Sequence, residues 1–158
     1  MPEIFKYHSI AVGGTFDHIH RGHRKLLERA FGTGKSVVIG LMSDAFVASS
    51  GKKIQHDYDF RKEELARFLE KAYPNRKYTI TKLEARFGPS IFTKDIDAIV
   101  VSTETMPTVE SANKRRRESG LAEMQVEVVP MIMADDNDRI SSTRVRAGEI
   151  DPEGHLKK

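Results

Sequence analysis

The sequence contains no cysteine and no tryptophan, and no hydrophobic run is long enough to span a bilayer. Without cysteine the protein forms no disulfides and has no thiol to act as a nucleophile or metal ligand. No signal-like apolar segment begins the sequence, so we expect a cytoplasmic protein with no membrane partner. The formal net charge of +3 is too small to indicate nucleic acid as a partner, and it suits anionic small molecules equally well.

The sequence contains enough hydrophobic residues to form the core of one globular domain. A chain of 158 residues with 39% hydrophobic residues predicts a single domain, which we assign to residues 1–150, followed by a polar C-terminal tail at 151–158. Buried-type apolar runs alternate with amphipathic stretches, which indicates strands alternating with helices. We therefore expect an α/β fold, a Rossmann-like doubly wound sheet of about five parallel strands.

The predicted elements follow from apolar periodicity and from the glycine, proline and hydroxyl residues that bound each run. The strands are expected near 7–12, 36–42, 78–83, 98–101 and 126–129. The helices are expected near 22–31, 44–47, 59–73, 107–120 and 141–147.

The densest pattern runs from the first strand into the first helix. Gly13-Gly-Thr-Phe-Asp17 follows the strand, and His20-Arg-Gly-His23 follows in turn. Unpaired N–H groups at a helix start suit phosphate oxygens, and two histidines three residues apart share one face there. Their spacing would also suit zinc, but no third ligand is evident nearby, so we assign no metal site. We expect Gly22 to leave room for a ligand, and Asp17 to be a cap or turn former and not a base.

Two further motifs carry cationic or hydroxyl side chains. Lys52-Lys53 lies in a loop of serine and glycine, where paired lysines are either solvated charge or a mobile cover for phosphates. Ser141, Ser142 and Thr143 precede a helical pattern that includes Arg146. These hydroxyls cap a helix, or they form a phosphate cradle to which the arginine adds a bidentate contact.

Three weaker patterns receive less specific interpretations. The basic run 113–117 is expected to be mostly a solvated helix face. Residues 102–105, Ser-Thr-Glu-Thr, follow a strand and are candidates for adenine and ribose contacts. The acidic stretch 135–138 lacks the glycine and distal glutamate of an EF-hand loop, so we interpret it as a solvated loop.

Together the motifs identify a family resemblance. Gly-Thr-Phe-Asp-x-x-His-x-Gly-His and Ile-Ser-Ser-Thr-x-x-Arg resemble the signatures of the nucleotidyltransferase superfamily. With the Gly-Lys-Lys loop, Arg61-Lys-Glu-Glu-Leu65 and Val-Ser-Thr-Glu-Thr, they resemble the archaeal phosphopantetheine adenylyltransferases to about residue 150. Bacterial enzymes of this activity carry Gly-Leu-Arg where this chain has Ser-Thr-Glu-Thr, so the substrate contacts of that segment cannot be assigned by resemblance.

The resemblance implies an activity and a set of residues. ATP and 4′-phosphopantetheine would give 3′-dephospho-coenzyme A and pyrophosphate in coenzyme A biosynthesis, with Mg²⁺ bound through the ATP phosphates. The implied catalytic residues are Thr15, His23, Lys52 and Lys53, with Lys52 slightly preferred over its neighbour. The implied ATP-binding residues are Gly14, Thr15, Phe16, His20, Gly22, His23, Ser141, Ser142, Thr143 and Arg146. Thr15, Met42 and Lys52 are the implied phosphopantetheine contacts.

Several alternatives stay open at this point. The chain could be a nicotinamide-mononucleotide adenylyltransferase, a cytidylyltransferase acting on an alcohol phosphate, or a nucleotide-binding regulator without catalytic activity. The oligomeric state is open, and a monomer is compatible with the sequence. The apolar wall for a pantetheine arm has candidates that are equally well core residues, namely Phe16, Leu41, Met42, Phe46 and Val47.

Overall fold

A computed structural model describes residues 5–49, 51, 54–84, 96–103, 106–130, 145 and 147–156, without the side chains of 106–108. Five strands form the sheet: β1 (Tyr7–Gly14), β2 (Gly34–Met42), β3 (Lys77–Leu83), β4 (Ala98–Ser102) and β5 (Gln125–Val129). The helices in this part of the chain are α1 (Arg21–Thr33), α2 (Asp44–Ser49), α3 (Tyr58–Ala72) and α4 (Met106–Glu118). None of these helices is both long and apolar enough to cross a bilayer.

The sheet is parallel throughout, and its strand order is β3-β2-β1-β4-β5. The predicted single-domain α/β fold with five parallel strands is therefore confirmed. The chain winds outward from β1 in one direction to β3 and then returns to β1 and winds in the other direction to β5. In open sheets of this kind, ligands bind beyond the carboxyl ends of the strands, at the point where the winding reverses. Here that point lies between β1 and β4.

Neighbouring residues of a strand point to opposite sides of the sheet, and β1 carries apolar side chains on both. Helices therefore cover both faces of the sheet. Ile10 and Val12 of β1 belong to the core that α1 and α3 cover, with Leu27 and Leu65 among the helical contributors. Ala11 belongs instead to a smaller cluster on the opposite face. That second cluster consists of Ala11, Ile96, Ala112 from α4, and Met124.

The end of β1 differs from the prediction, because the strand continues through both glycines of the motif. Gly13 pairs with Gly40 of β2, and Gly14 pairs with Leu41. A Cβ at Gly40 would lie 2.6 Å from the side chain of Leu83, so glycine permits the close approach of β3 at this point. The ligand-facing loop therefore begins at Thr15.

The prediction of a solvated basic face on α4 is wrong for two of its residues. Lys114, Arg115 and Arg117 are exposed, but Asn113 and Arg116 are 8% and 2% exposed. Both lie on the stripe 109, 112, 113, 116, which has the spacing of a helix face that packs on a core.

The two buried polar side chains of α4 bind main chain. Arg116 Nε donates to the Ala122 carbonyl at 2.7 Å, and the Asn113 amide exchanges two hydrogen bonds with the main chain of Met124. They hold the connection from α4 to β5 in place.

Residues 151–156, which the sequence analysis assigns to a polar tail, contact the start of α1. The Arg21 N–H donates to the Pro152 carbonyl at 2.8 Å, and Arg24 pairs with Glu153. Of the two other late segments singled out in the sequence, 135–138 lies outside the described residues, and so does most of the predicted helix 141–147.

A buried arginine joins the loops at the carboxyl edge of the sheet. Arg61 of α3 is 0% exposed, and its guanidinium donates to four acceptors. Two are the carbonyls of Thr15, after β1, and Met42, the last residue of β2, both at 2.8 Å. The others are the His56 carbonyl at 3.1 Å and the Asp44 carboxylate at 2.7 Å. Two strand ends and two helix starts therefore depend on one side chain.

We predict that Arg61→Ala lowers the free energy of unfolding by at least about 3 kcal/mol, because three carbonyls lose their donor and the space of a large buried side chain is left empty. Arg67→Ala is the matched control on the same helix, since Arg67 is 66% exposed and pairs only with Glu63 and Glu64 among the described contacts. It should cost less than about 1 kcal/mol. Chemical denaturation of both variants measures the difference, and equal losses would contradict the role assigned to Arg61.

Candidate active site

The first helix begins with two histidines that cap it reciprocally. The His23 N–H donates to His20 Nδ1 at 3.3 Å, and the His20 N–H donates to His23 Nδ1 at 3.3 Å. The arrangement is that of a capping box, with imidazole nitrogens in place of the usual oxygens. The two rings stack with centroids 3.8 Å apart and planes 17° apart. The His-x-Gly-His motif is therefore a folded unit before any ligand arrives.

The cap fixes the protonation state of both rings. Since both Nδ1 atoms accept hydrogen bonds, the proton of each neutral ring is on Nε2, which makes Nε2 the donor. A neutral Nε2–H group suits a phosphate oxygen, and it carries no charge that must be buried when the site is empty.

Gly22 makes this stack possible. A Cβ on Gly22 would lie 2.8 Å from Cε1 and 3.0 Å from Nδ1 of His20, inside contact distance. The space predicted for a ligand at Gly22 is thus filled by the His20 ring. Glycine at this position lets the ring lie back over the helix start and cap it.

Burial keeps both histidines neutral. His20 is 7% exposed, and burial, with smaller contributions from the Arg24 guanidinium and His18, lowers its pKa to about 4. Burial and the neighbouring His20 hold the pKa of His23 well below its usual range, although a hydrogen bond to the His18 backbone acts in the opposite direction. An incoming triphosphate would favour the protonated rings and so raise these pKa values.

Phe16 supports the histidine pair from the core. It is 1% exposed, and its ring lies 4.8 Å from that of His23. Its φ of 51° is unusual for a bulky residue, and such a conformation costs about 1 kcal/mol or more unless packing fixes it. The side chain therefore turns back under the loop, where a Cβ on Gly14 would lie 3.0 Å from the ring. The ring is thus a support for the site and not an accessible wall.

Thr15 and Met42 come together at the ends of β1 and β2. The Thr15 hydroxyl donates to Met42 Sδ at 3.4 Å, and both side chains are partly exposed. A thioether is a weak acceptor, so the hydroxyl gives it up readily for a phosphate oxygen. Of the other apolar candidates, Leu41 and Val47 are 0% exposed and belong to the core, whereas Phe46 is partly exposed.

Asp17 is an anchor for the segment that follows the lysine loop in sequence. Its carboxylate accepts from the main-chain N–H groups of Gln55 at 2.9 Å and His56 at 3.0 Å, and from His56 Nδ1 at 3.1 Å. Its side chain is 0% exposed. The expectation that Asp17 has a structural role agrees with these contacts, which leave it poorly placed to act as a base.

The structure brings together the described part of the predicted site, namely Gly14, Thr15, Phe16, His20, Gly22, His23 and Met42. The remaining predicted residues lie outside the described residues: Lys52, Lys53, Ser141, Ser142, Thr143 and Arg146. Ser102 is partly exposed at the end of β4, as expected from its place in the sequence. The role of His56 and the burial of Arg61 were not predicted from the sequence. A hint was available for Arg61, because its separation of four from Leu65 places both on one helix face.

Comparison with known proteins supplies the family. The cytidylyltransferase-like family matches residues 11–148. A protein of Methanothermobacter thermautotrophicus named phosphopantetheine adenylyltransferase is 42% identical over 153 residues, 97% of this chain and 92% of that protein. One of the same name from Methanopyrus kandleri is 38% identical over 151 residues, 96% of each chain.

A solved structure is also similar. It is a protein of unknown function from Archaeoglobus fulgidus, 29% identical, with a TM-score of 0.69 over 77% of this chain and 88% of that one. The likeness extends the agreement from sequence to fold.

The lowered histidine pKa values predict acid sensitivity. Between about pH 4, the folded pKa of His20, and pH 6.5, its ordinary value, the unfolded chain binds a proton that the folded chain does not. Stability should therefore fall as the pH is lowered, by roughly 2 kcal/mol between pH 7 and pH 5 from His20 alone. His20→Asn keeps a capping acceptor without the titration. Denaturation at both pH values should show a smaller loss in this variant, and an equal loss would contradict the assignment.

Proposed function

The chain belongs to the cytidylyltransferase-like family, among the archaeal phosphopantetheine adenylyltransferases, and from that membership we propose that it transfers AMP from ATP to 4′-phosphopantetheine. The products are 3′-dephospho-coenzyme A and pyrophosphate. Within the site, the proposal depends chiefly on the stacked His20–His23 pair at a helix start beyond the central strand, where a phosphate oxygen would replace the His18 backbone as the partner of the His23 ring.

The reaction proceeds by in-line displacement without a covalent enzyme intermediate. An oxygen of the acceptor phosphate attacks the α-phosphorus of ATP, and the bond from that phosphorus to the bridging oxygen of pyrophosphate breaks. A phosphate monoester is already ionised near neutral pH, so no general base is needed. The protein contributes positioning and stabilisation of developing charge. This agrees with an Asp17 carboxylate that is already engaged by three N–H donors.

Thr15 orients the attacking phosphate. Its hydroxyl is bonded only weakly, to Met42 Sδ, while its carbonyl is fixed by Arg61 at 2.8 Å. The side chain can therefore change partner without moving the backbone. Met42 then lies beside the acceptor, where a pantetheine arm requires an apolar contact.

The histidines and lysines act on the nucleotide. His23, with Lys52 or Lys53, stabilises negative charge on the α-phosphate in the transition state, and we favour Lys52 for this role. His20 and the hydroxyls of 141–143 hold the β- and γ-phosphates, and Arg146 adds a guanidinium contact.

Mg²⁺ fits this site as a companion of the nucleotide. Both oxygens of Asp17, the acidic side chain of the β1–α1 connection, accept hydrogen bonds from Gln55 and His56. Mg²⁺ commonly binds through substrate phosphates and water, with few protein ligands. When bound it would neutralise charge on the triphosphate, while the residues named above orient the phosphates.

A small matrix of substrates tests the proposed activity. The purified protein should release pyrophosphate from ATP with 4′-phosphopantetheine. We expect at least about tenfold less with nicotinamide mononucleotide or glycerol 3-phosphate, or with CTP in place of ATP, because the pocket contacts differ in the transition state. A faster rate with nicotinamide mononucleotide would contradict the proposal that 4′-phosphopantetheine is the acceptor. No pyrophosphate release with any pair of substrates would contradict the proposal that the protein is an enzyme.

Two variants control the assay for contaminating activity. His23→Ala should lower kcat by roughly 100-fold or more, because it removes a contact strengthened in the transition state. His8→Asn removes an exposed histidine at the opposite end of β1 and should retain the rate.

A further inference from the structure

Asp17, His18 and His56 form a cluster that the proposed reaction does not use for chemistry. We propose that these three side chains bind a divalent transition-metal ion of the zinc type. The site lies between the β1–α1 connection and the segment that follows the lysine loop. It is separate from Mg²⁺ carried by the nucleotide, and it does not depend on the proposed adenylyl transfer.

The ligand atoms are already close enough. One atom from each of the three residues lies within 4.8 Å of the others. His56 Nδ1 and Asp17 Oδ1 lie 3.1 Å apart, a spacing that two ligands of one ion adopt. Ligand bonds of about 2.1 Å allow at most about 4.2 Å between two ligand atoms, so a shift of about half an ångström completes the set.

All three ligand residues have partners in the absence of the ion. The Asp17 carboxylate is fixed by the N–H groups of Gln55 and His56. The His56 ring stacks on Phe60 with centroids 4.2 Å apart, while the His18 ring meets it edge-on at 5.2 Å. Such preorganisation lowers the entropy lost when a ligand set closes on a metal.

The partly exposed histidine rings let an ion reach the cluster from solvent. His18 and His56 are both partly exposed, whereas the Asp17 side chain is buried beneath them. The ion takes the place of the proton that His56 Nδ1 shares with Asp17, and the neutral ring then carries its proton on Nε2. His18 Nε2 donates a hydrogen bond to the Gln55 amide oxygen at 2.7 Å, which orients the His18 ring.

The ligand chemistry selects the class of metal. Two imidazole nitrogens and one carboxylate suit Zn²⁺, Co²⁺ or Ni²⁺, whereas Mg²⁺ and Ca²⁺ prefer oxygen ligands alone. A bound ion would connect the β1–α1 connection, which leads into His20 and His23, to the segment that begins after Lys53. Occupancy would thereby fix the spacing between two parts of the substrate site.

The test is direct metal binding by the full chain in the absence of nucleotide. Titration calorimetry with Zn²⁺ should give one ion per chain with a Kd below about 10 μM, and Co²⁺ should give visible absorption bands of a protein-bound ion. His18→Asn and His56→Asn should each weaken Zn²⁺ binding at least tenfold. His8→Asn, which removes a histidine remote from the cluster, should bind as tightly as the unmodified chain.

Three results would overturn the proposal. They are no binding at 1 mM Zn²⁺, undiminished binding in both His18→Asn and His56→Asn, or binding that only His20→Asn removes. The last result would place the ion on the capping pair of α1. Circular dichroism of each variant verifies folding, and His18→Asn decides the matter if His56→Asn unfolds, because the His18 ring is partly exposed. Pyrophosphate assays play no part, so failure of the proposed activity leaves this test intact.

Discussion

The geometry of the site depends on the buried Arg61 guanidinium. Parallel strands end in loops whose carbonyls have no partners within the sheet, and a ligand site at those ends needs the loops held still. Arg61 supplies donors to the carbonyls after β1 and at the end of β2, and pairs with Asp44 at the start of α2. Asp17 does the complementary task by accepting main-chain N–H groups of residues 55 and 56. One buried cation and one buried anion thus fix the frame from which Thr15 and the histidines act.

The histidine pair shows how that frame is made ready for an anion. Burying a charge without a partner costs several kcal/mol, and the empty site avoids this cost because both rings are neutral. Their Nδ1 atoms satisfy main-chain N–H groups, so the helix start is capped even without ligand. A triphosphate then meets donors that are already oriented, which is the condition for electrostatic stabilisation with little reorganisation.

The fold could be predicted from the sequence, but the hydrogen bonds that hold the loops of the site in place could not. Apolar runs such as 36–42 predict strands buried on both faces, and their alternation with helices predicts a parallel sheet. The partners of Arg61 come from three segments, two of them distant in sequence, and no local pattern reveals such a set. Arg116 was misjudged because a cluster of basic residues suggests solvent, although its stripe with Ala112 and Asn113 indicates a packed face. Gly22 was predicted to leave room for a ligand, whereas the neighbour that requires glycine at this position is the His20 ring.

The most direct test of the site is a long-range ¹H–¹⁵N spectrum of the histidine rings, recorded with and without a non-hydrolysable ATP analogue. In the free protein, His20 and His23 should give the pattern of the neutral Nε2–H form, because both Nδ1 atoms accept main-chain hydrogen bonds. The analogue should shift both Nε2 resonances and leave those of the exposed His8 and His155 in place. Two results would contradict the assignment of this pair to the triphosphate. One is an Nδ1–H form of either ring in the free protein, and the other is ring resonances of His20 and His23 that do not shift when the analogue is added.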